Sequence, residues 1–204
     1  MSLVFGVISP HPPIIIPEIG GSETEKVKKT IKALETAAED LATKNPEKLI
    51  IISPHEEHGF RVPFYYLGKK LNPALKIEKI LVTNPSYEYY FNLGEKYRKK
   101  LEPEKEKTAI IASGDLSHVL KEEGPYGFNP AGPKLDKIIV EEVKNNNPQN
   151  LLNIDPAILE EGAECGLRSI LFLMGAMSEA KTEILSYEGP FGVGYLVAEF
   201  ENRK

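Results

Sequence analysis

Apolar positions along the chain follow two alternating patterns: short continuous runs and longer stretches with helical spacing. Leu3 to Ser9 is an apolar run with β-branched residues that stops at Pro10, which predicts a buried strand. From Thr24 to about Lys44, Val27, Ile31, Leu34, Ala38 and Leu41 recur at helical spacing, and Ser22 or Thr24 is placed to cap the first turn. Lys48 to Ser53 is a second continuous run, as expected of a central parallel strand covered on both faces. Phe60 to Leu67 and Ile77 to Thr83 read as further strands, and Tyr87 to Leu101 as a helix. Thr108 to Ser113 is another buried run, followed by helices over Pro133 to Lys144 and Gly166 to Met177. Lys181 to Tyr187 and Gly194 to Phe200, joined across Gly189, Pro190 and Gly192, read as a C-terminal hairpin.

Strands alternating with amphipathic helices imply an α/β fold: three layers, α/β/α, with a mostly parallel central sheet and an antiparallel hairpin added at the end. In such sheets ligands bind at the carboxyl ends of the strands. With 204 residues, 41% hydrophobic and 27% charged, the expectation is one catalytic domain spanning 1–204. The net charge of −5 carries no basic stripe, which argues against a nucleic-acid partner. No run approaches the roughly 18 apolar residues of a membrane span, and no signal-like start is present, so the expected location is cytoplasmic. A single cysteine, Cys165, excludes an internal disulfide.

All four histidines, His11, His55, His58 and His118, follow a run read as a buried strand. Two sit in the same triplet, Ser-Pro-His, at Ser9 to His11 and Ser53 to His55, so two strands deliver an imidazole to one edge in the same way. Pro10, Pro12, Pro13 and Pro54 stiffen those turns. Two neutral imidazoles and one anion on a face of a metal ion leave positions open for dioxygen and substrate, the logic of non-haem Fe(II) oxygenases. The anion candidates are Glu164, Cys165, Glu56, Glu57 and Asp115. Glu164 and Cys165 precede the first turn of a helix, whose dipole favours a negative group and is expected to lower the thiol pKa.

Each candidate also has an ordinary role. His58, among Glu56, Glu57 and Gly59, reads equally well as part of a solvated loop and is kept outside the metal shell. Asp115 can bond turn amides, Cys165 can be a small buried hydrophobe, and Glu164 can simply complement a helix dipole. Gly189 to Gly194 precedes a strand rather than a helix and is a turn, not a nucleotide fingerprint.

Ser9 to Pro13 (SPHPP), Ile52 to His55 (ISPH), Gly114 to His118 (GDLSH) and Glu164 to Ser169 (ECGLRS) together resemble, in family order, the class III extradiol dioxygenase (LigB-like) superfamily. Within it the chain looks most like the LigB-like domain of AmmeMemoRadiSam system proteins, and more distantly like Memo. The resemblance implies Fe(II) held by His11 and His55, with zinc or copper as alternatives, and His118 as the acid/base beside the metal, with Asp115 as a second catalytic candidate. A histidine near neutral pKa suits proton transfer from a phenol. In ring-cleaving members the third ligand is a glutamate and in Memo a cysteine; the register sets Cys165 there with Glu164 beside it, leaving both open. A small aromatic diol is the implied substrate, and a homo-oligomer or a partner subunit is compatible with the family. A Memo-like copper redox or peptide-binding module without ring cleavage is the rival reading, and a zinc hydrolase the third.

Overall fold

The computed structural model describes residues 2–202. Its strands are β1 (Leu3–Ser9), β2 (Lys48–Ser53), β3 (Lys76–Leu81), β4 (Thr108–Ser113), β5 (Ala180–Glu188) and β6 (Tyr195–Asn202). They form one sheet in the order β3-β2-β4-β1-β6-β5. The first four are parallel, while β6 runs antiparallel to both β1 and β5, so the expected hairpin and mostly parallel sheet are present. Helices α1 (Pro17–Gly20), α2 (Lys28–Thr43) and α3 (His58–Leu67) precede β3. They are followed by α4 (Tyr87–Leu101), α5 (Ala131–Asn145), α6 (Pro148–Leu152), α7 (Pro156–Gly162) and α8 (Leu167–Ala176).

Strand side chains alternate between two apolar clusters, as the two-residue period requires. Ile50, Ile52, Ile110 and Ala112 meet Ile139, Leu171 and Phe172 on one face, the side of α5 and α8. Leu49, Ile51, Ala109 and Ile111 meet Leu34, Leu41 and Tyr66 on the other, the side of α2 and α3. Coverage on both faces explains why β2 and β4 read as unbroken apolar runs. The pairing Ser9 with Ser113, and Ile52 with Ala112, brings β1, β4 and β2 to the same level, each ending in a buried serine. The turns after these serines therefore open side by side.

Two expectations are corrected. Residues 60–67 are helix, not strand: Phe60, Val62, Pro63, Tyr66 and Leu67 are buried on one helical face, and that tertiary face overrides the β propensity of the aromatic and branched residues. Neither Ser22 nor Thr24 caps α2, because residues 21–27 form a 3-10 turn in which Thr24 Oγ1 donates to the Gly21 carbonyl. The short helices α6 and α7 were not anticipated; Asp155 caps the latter by accepting from Ala157 N. No helix among the described residues is long and apolar enough to cross a membrane.

Candidate metal centre

The chain leaves β1 through Pro10 and turns His11 into the interior, while β2 leaves through Pro54 to His55, and His58 opens the first turn of α3. The three rings meet: centroids of His11 and His55 are 5.1 Å apart, of His11 and His58 5.3 Å, and of His55 and His58 5.1 Å. Each offers a nitrogen, and these nitrogens lie within 4.8 Å of one another, close enough to share one cation. His11 is buried, whereas the other two reach solvent. Burial first, then the neighbouring imidazoles, pushes the His11 pKa down to about 3 and lowers that of His55. Both rings are therefore neutral at pH 7, the form in which a histidine donates a lone pair. His58, read from the sequence as loop, is brought into the cluster. Its backbone neighbour Glu57 has φ 36°, a left-handed value for a non-glycine residue, and this sharp turn swings His58 back toward His55.

A second group shares His11. Asp115 Oδ1 accepts from the His11 backbone N–H at 3.1 Å, its Oδ2 lies 3.9 Å from His11 Nε2, and Cys165 Sγ is 3.6 Å from the same nitrogen. The three donor atoms fall within 4.8 Å of one another. This meeting depends on glycine: a Cβ on Gly114 would stand 2.2 Å from the Gly166 Cα, so two backbones touch here and bring the end of β4 onto the start of α8. Burial lifts the Asp115 carboxyl to about 7, against the opposing effect of the His11 N–H. Burial, then the Asp115 charge, raises the Cys165 thiol well above its ordinary value. The expected lowering by the helix dipole is thus overturned: desolvation outweighs it, and the sulfur receives a single backbone N–H, from Asp115 at 3.3 Å.

Glu164 is not brought to the histidines. Its buried side chain accepts from Tyr87 Oη and from Leu167 N, and pairs with Arg168 at 3.8 Å, so both carboxylate oxygens serve the start of α8. Glu56 and Glu57 are exposed and belong to neither donor group.

His118 enters from the opposite wall. Its Nδ1 lies 2.8 Å from the Ala163 carbonyl, which only accepts, so Nδ1 carries the ring proton and Nε2 holds the lone pair. Burial lowers its pKa, while the backbone of Ala163 and then of Leu116 works the other way. The flanking backbone is tied down by Leu116 N to Gly194 O, Gly194 N to Ser117 O and Leu120 N to Gly192 O. Asp136, buried on α5, accepts from Ser117 N at 2.7 Å and from Tyr187 Oη at 2.6 Å, fixing the residue before His118. The sequence reading missed Asp136; a charged residue on the apolar face of a helix was the available signal. Between the walls lies an open cleft of about 490 Å³, lined by His11, His55, His58, Asp115 and His118. Its sides are apolar, including Pro12, Ile14, Tyr126, Phe191 and Val193.

Strand-end imidazoles around one point, in a doubly covered sheet, make a candidate metal site in an α/β protein. The chain belongs to the LigB family: residues 56–198 match the model described as the catalytic LigB subunit of aromatic ring-opening dioxygenase. That range holds His58, Asp115, His118, Glu164 and Cys165 and begins one residue after His55. Protein CA_C1420 of Clostridium acetobutylicum is 34% identical over 98% of this chain, which spans 58% of that protein's length. The crystal structure of the uncharacterized protein JW3007 of Escherichia coli aligns with a TM-score of 0.60, covering 96% of this chain and 99% of that one. At 11% identity that likeness is one of fold.

Proposed function

We propose that the chain is a metal-dependent dioxygenase of the extradiol type, acting on a small aromatic diol in the cleft. The observation that carries this reading is the convergence of three imidazoles within 4.8 Å of one another, in an apolar-sided cleft that His118 also lines. The donor set fits a divalent transition ion: three imidazoles, with a carboxyl and a thiol beside His11. His11, His55 and His58 would hold the ion, with Asp115 or Cys165 as the anionic neighbour; Glu164 is committed elsewhere. When bound, Fe(II) supplies Lewis acidity toward a phenolic oxygen and the redox capacity for dioxygen chemistry.

The protein's own groups do the rest. His118, with Nδ1 held by Ala163, can take a proton only at Nε2, which suits it to deprotonate a diol hydroxyl and return the proton later. Pro12, Ile14, Phe191 and Val193 offer an apolar surface on which a flat ring would lie, giving orientation without charge. Anaerobic reconstitution with Fe(II), followed by a catechol panel under an oxygen electrode, tests the reading. Stoichiometric oxygen uptake with at least one diol is expected; none with any diol, in protein shown to carry one iron, contradicts it. The Cys165 thiol, 3.6 Å from His11 Nε2, is the one observation that favours a softer ion such as copper or zinc. Elemental analysis of protein purified without added metal separates these.

A further inference from the structure

Pro63 stands in the interior of α3, where it has no N–H to give to the carbonyl of Gly59 four residues earlier. In an ordinary helix that bond would close a turn. Here the Gly59 carbonyl instead accepts from Ser113 Oγ, at the end of β4, at 2.6 Å. Ser113 is fully buried and has one hydroxyl proton to place. A carbonyl cannot donate, so that proton points at Gly59. On its other side Ser113 Oγ lies 2.9 Å from His11 Nδ1, and with its own proton spent it can only accept there. Nδ1 must therefore carry the His11 ring proton.

We propose that Pro63, Gly59 and Ser113 form a positioning relay that holds His11 in its Nδ1–H tautomer, presenting Nε2 as a preformed donor to a cation. The idea rests on the metal-site reading above and adds what prepares it. The opposite tautomer would turn Nδ1 into an acceptor; Ser113 could satisfy it only by withdrawing its proton from Gly59, leaving a buried carbonyl that Pro63 cannot serve. Gly59 is required for the geometry: a Cβ there would stand 2.0 Å from Ser53 Oγ and 3.2 Å from His55 Cβ. The absence of a side chain lets α3 settle on the end of β2, with its carbonyl in reach of β4. Nε2 then faces Cys165 Sγ at 3.6 Å and Asp115 Oδ2 at 3.9 Å, the two anionic candidates beside this ring. A metal-ligating histidine generally has its second nitrogen fixed by a hydrogen bond, and here the fixing group is itself fixed by a proline in another element.

Long-range proton–nitrogen correlation spectra of the ¹⁵N-labelled, metal-free protein at neutral pH test the relay directly. The expected spectrum shows His11 Nδ1 as a protonated nitrogen and Nε2 as a bare one; the reverse or an averaged pattern overturns the proposal. Ser113→Ala is expected to move His11 toward the averaged or Nε2–H pattern and to weaken zinc binding, measured against a chromophoric chelator, by about 10–100-fold. Ser113→Thr, which keeps the hydroxyl, should restore both. Pro63→Ala, which gives Gly59 a competing N–H, should shift the tautomer in the same direction by less, and it covers the case in which Ser113→Ala does not fold. Unchanged zinc affinity in a folded Ser113→Ala protein overturns the relay. A wild-type protein that shows the expected tautomer yet binds no zinc, cobalt or iron supports the relay and overturns the metal reading instead.

Discussion

The two walls of the cleft are built by different means. On one, His11 and His55 hang directly from strand ends, two residues after the last strand serine, with prolines in the turns. On the other, His118 lies five residues beyond β4, and its place depends on Asp136 from α5, Ala163 beyond α7, and Gly192 and Gly194 from the hairpin turn. The first wall hangs from short, proline-stiffened turns, as a group proposed to grip an ion needs to. The second is assembled from three distant segments, so its ring can be aimed independently of the other histidines. Metal binding and proton transfer should therefore fail separately, each under its own substitutions.

The largest separation is expected from His11→Ala, which should lower zinc or iron affinity by more than the roughly 10–100-fold typical of a supporting residue. Equilibrium dialysis with elemental analysis would measure it. Undiminished stoichiometry would mean that His55 and His58 suffice. His118→Ala should do the converse, leaving metal content unchanged while lowering turnover of an accepted diol by about 10²–10⁴-fold, the range of general acid–base catalysis. Loss of metal in that variant would merge the two walls. Asp136→Ala should come next: Ser117 N–H and Tyr187 O–H lose a buried acceptor, costing about 2–4 kcal/mol in urea denaturation. Turnover should fall with metal affinity kept. Asp136→Asn, which keeps an oxygen for Ser117, should recover much of the stability.

The smallest effect is a control lying outside both walls. Glu199 on β6 is buried, and its Oε1 has no hydrogen-bond partner among the described residues. Burial, reinforced by Asp40, Glu183 and Glu201 and opposed by Lys44, pushes its carboxyl from 4.5 up to about 7. The folded protein thus holds this proton more tightly than the unfolded chain does. Its contribution to stability is fully present below about 4.5 and is lost as pH rises through about 7. Glu199→Gln should flatten that part of the stability–pH curve, raising stability at pH 8 by about 1 kcal/mol and changing little at pH 4, with metal binding and turnover untouched.

The same contrast explains how much the sequence told. β1, β2 and β4 were legible because both faces are covered, so each reads as a continuous apolar run ending in serine. The histidines beyond them followed from the repeated Ser-Pro-His. The helix at 60–67 was not legible, since Val62, Phe64, Tyr65 and Tyr66 favour strands and Pro63 argues against a helix interior. That error hid His58, whose place depends on the helix starting where it does. Glu164 and Cys165 could not be told apart because both precede α8 by one turn or less. Only the three-dimensional neighbours, Tyr87 and Arg168 for one and His11 and Asp115 for the other, distinguish them. Asp136 acts through contacts 19 and 51 residues away, which no local pattern encodes.

The proposed function stands on His11, His55 and His58 gripping one cation between them. Anomalous diffraction at the metal edge, from crystals grown anaerobically with Fe(II), tests it most directly. A single peak is expected in the cleft, within bonding distance of His11 Nε2 and of a nitrogen from each of the other two rings. A peak elsewhere, or one that touches Glu164 and leaves His11 aside, would contradict it.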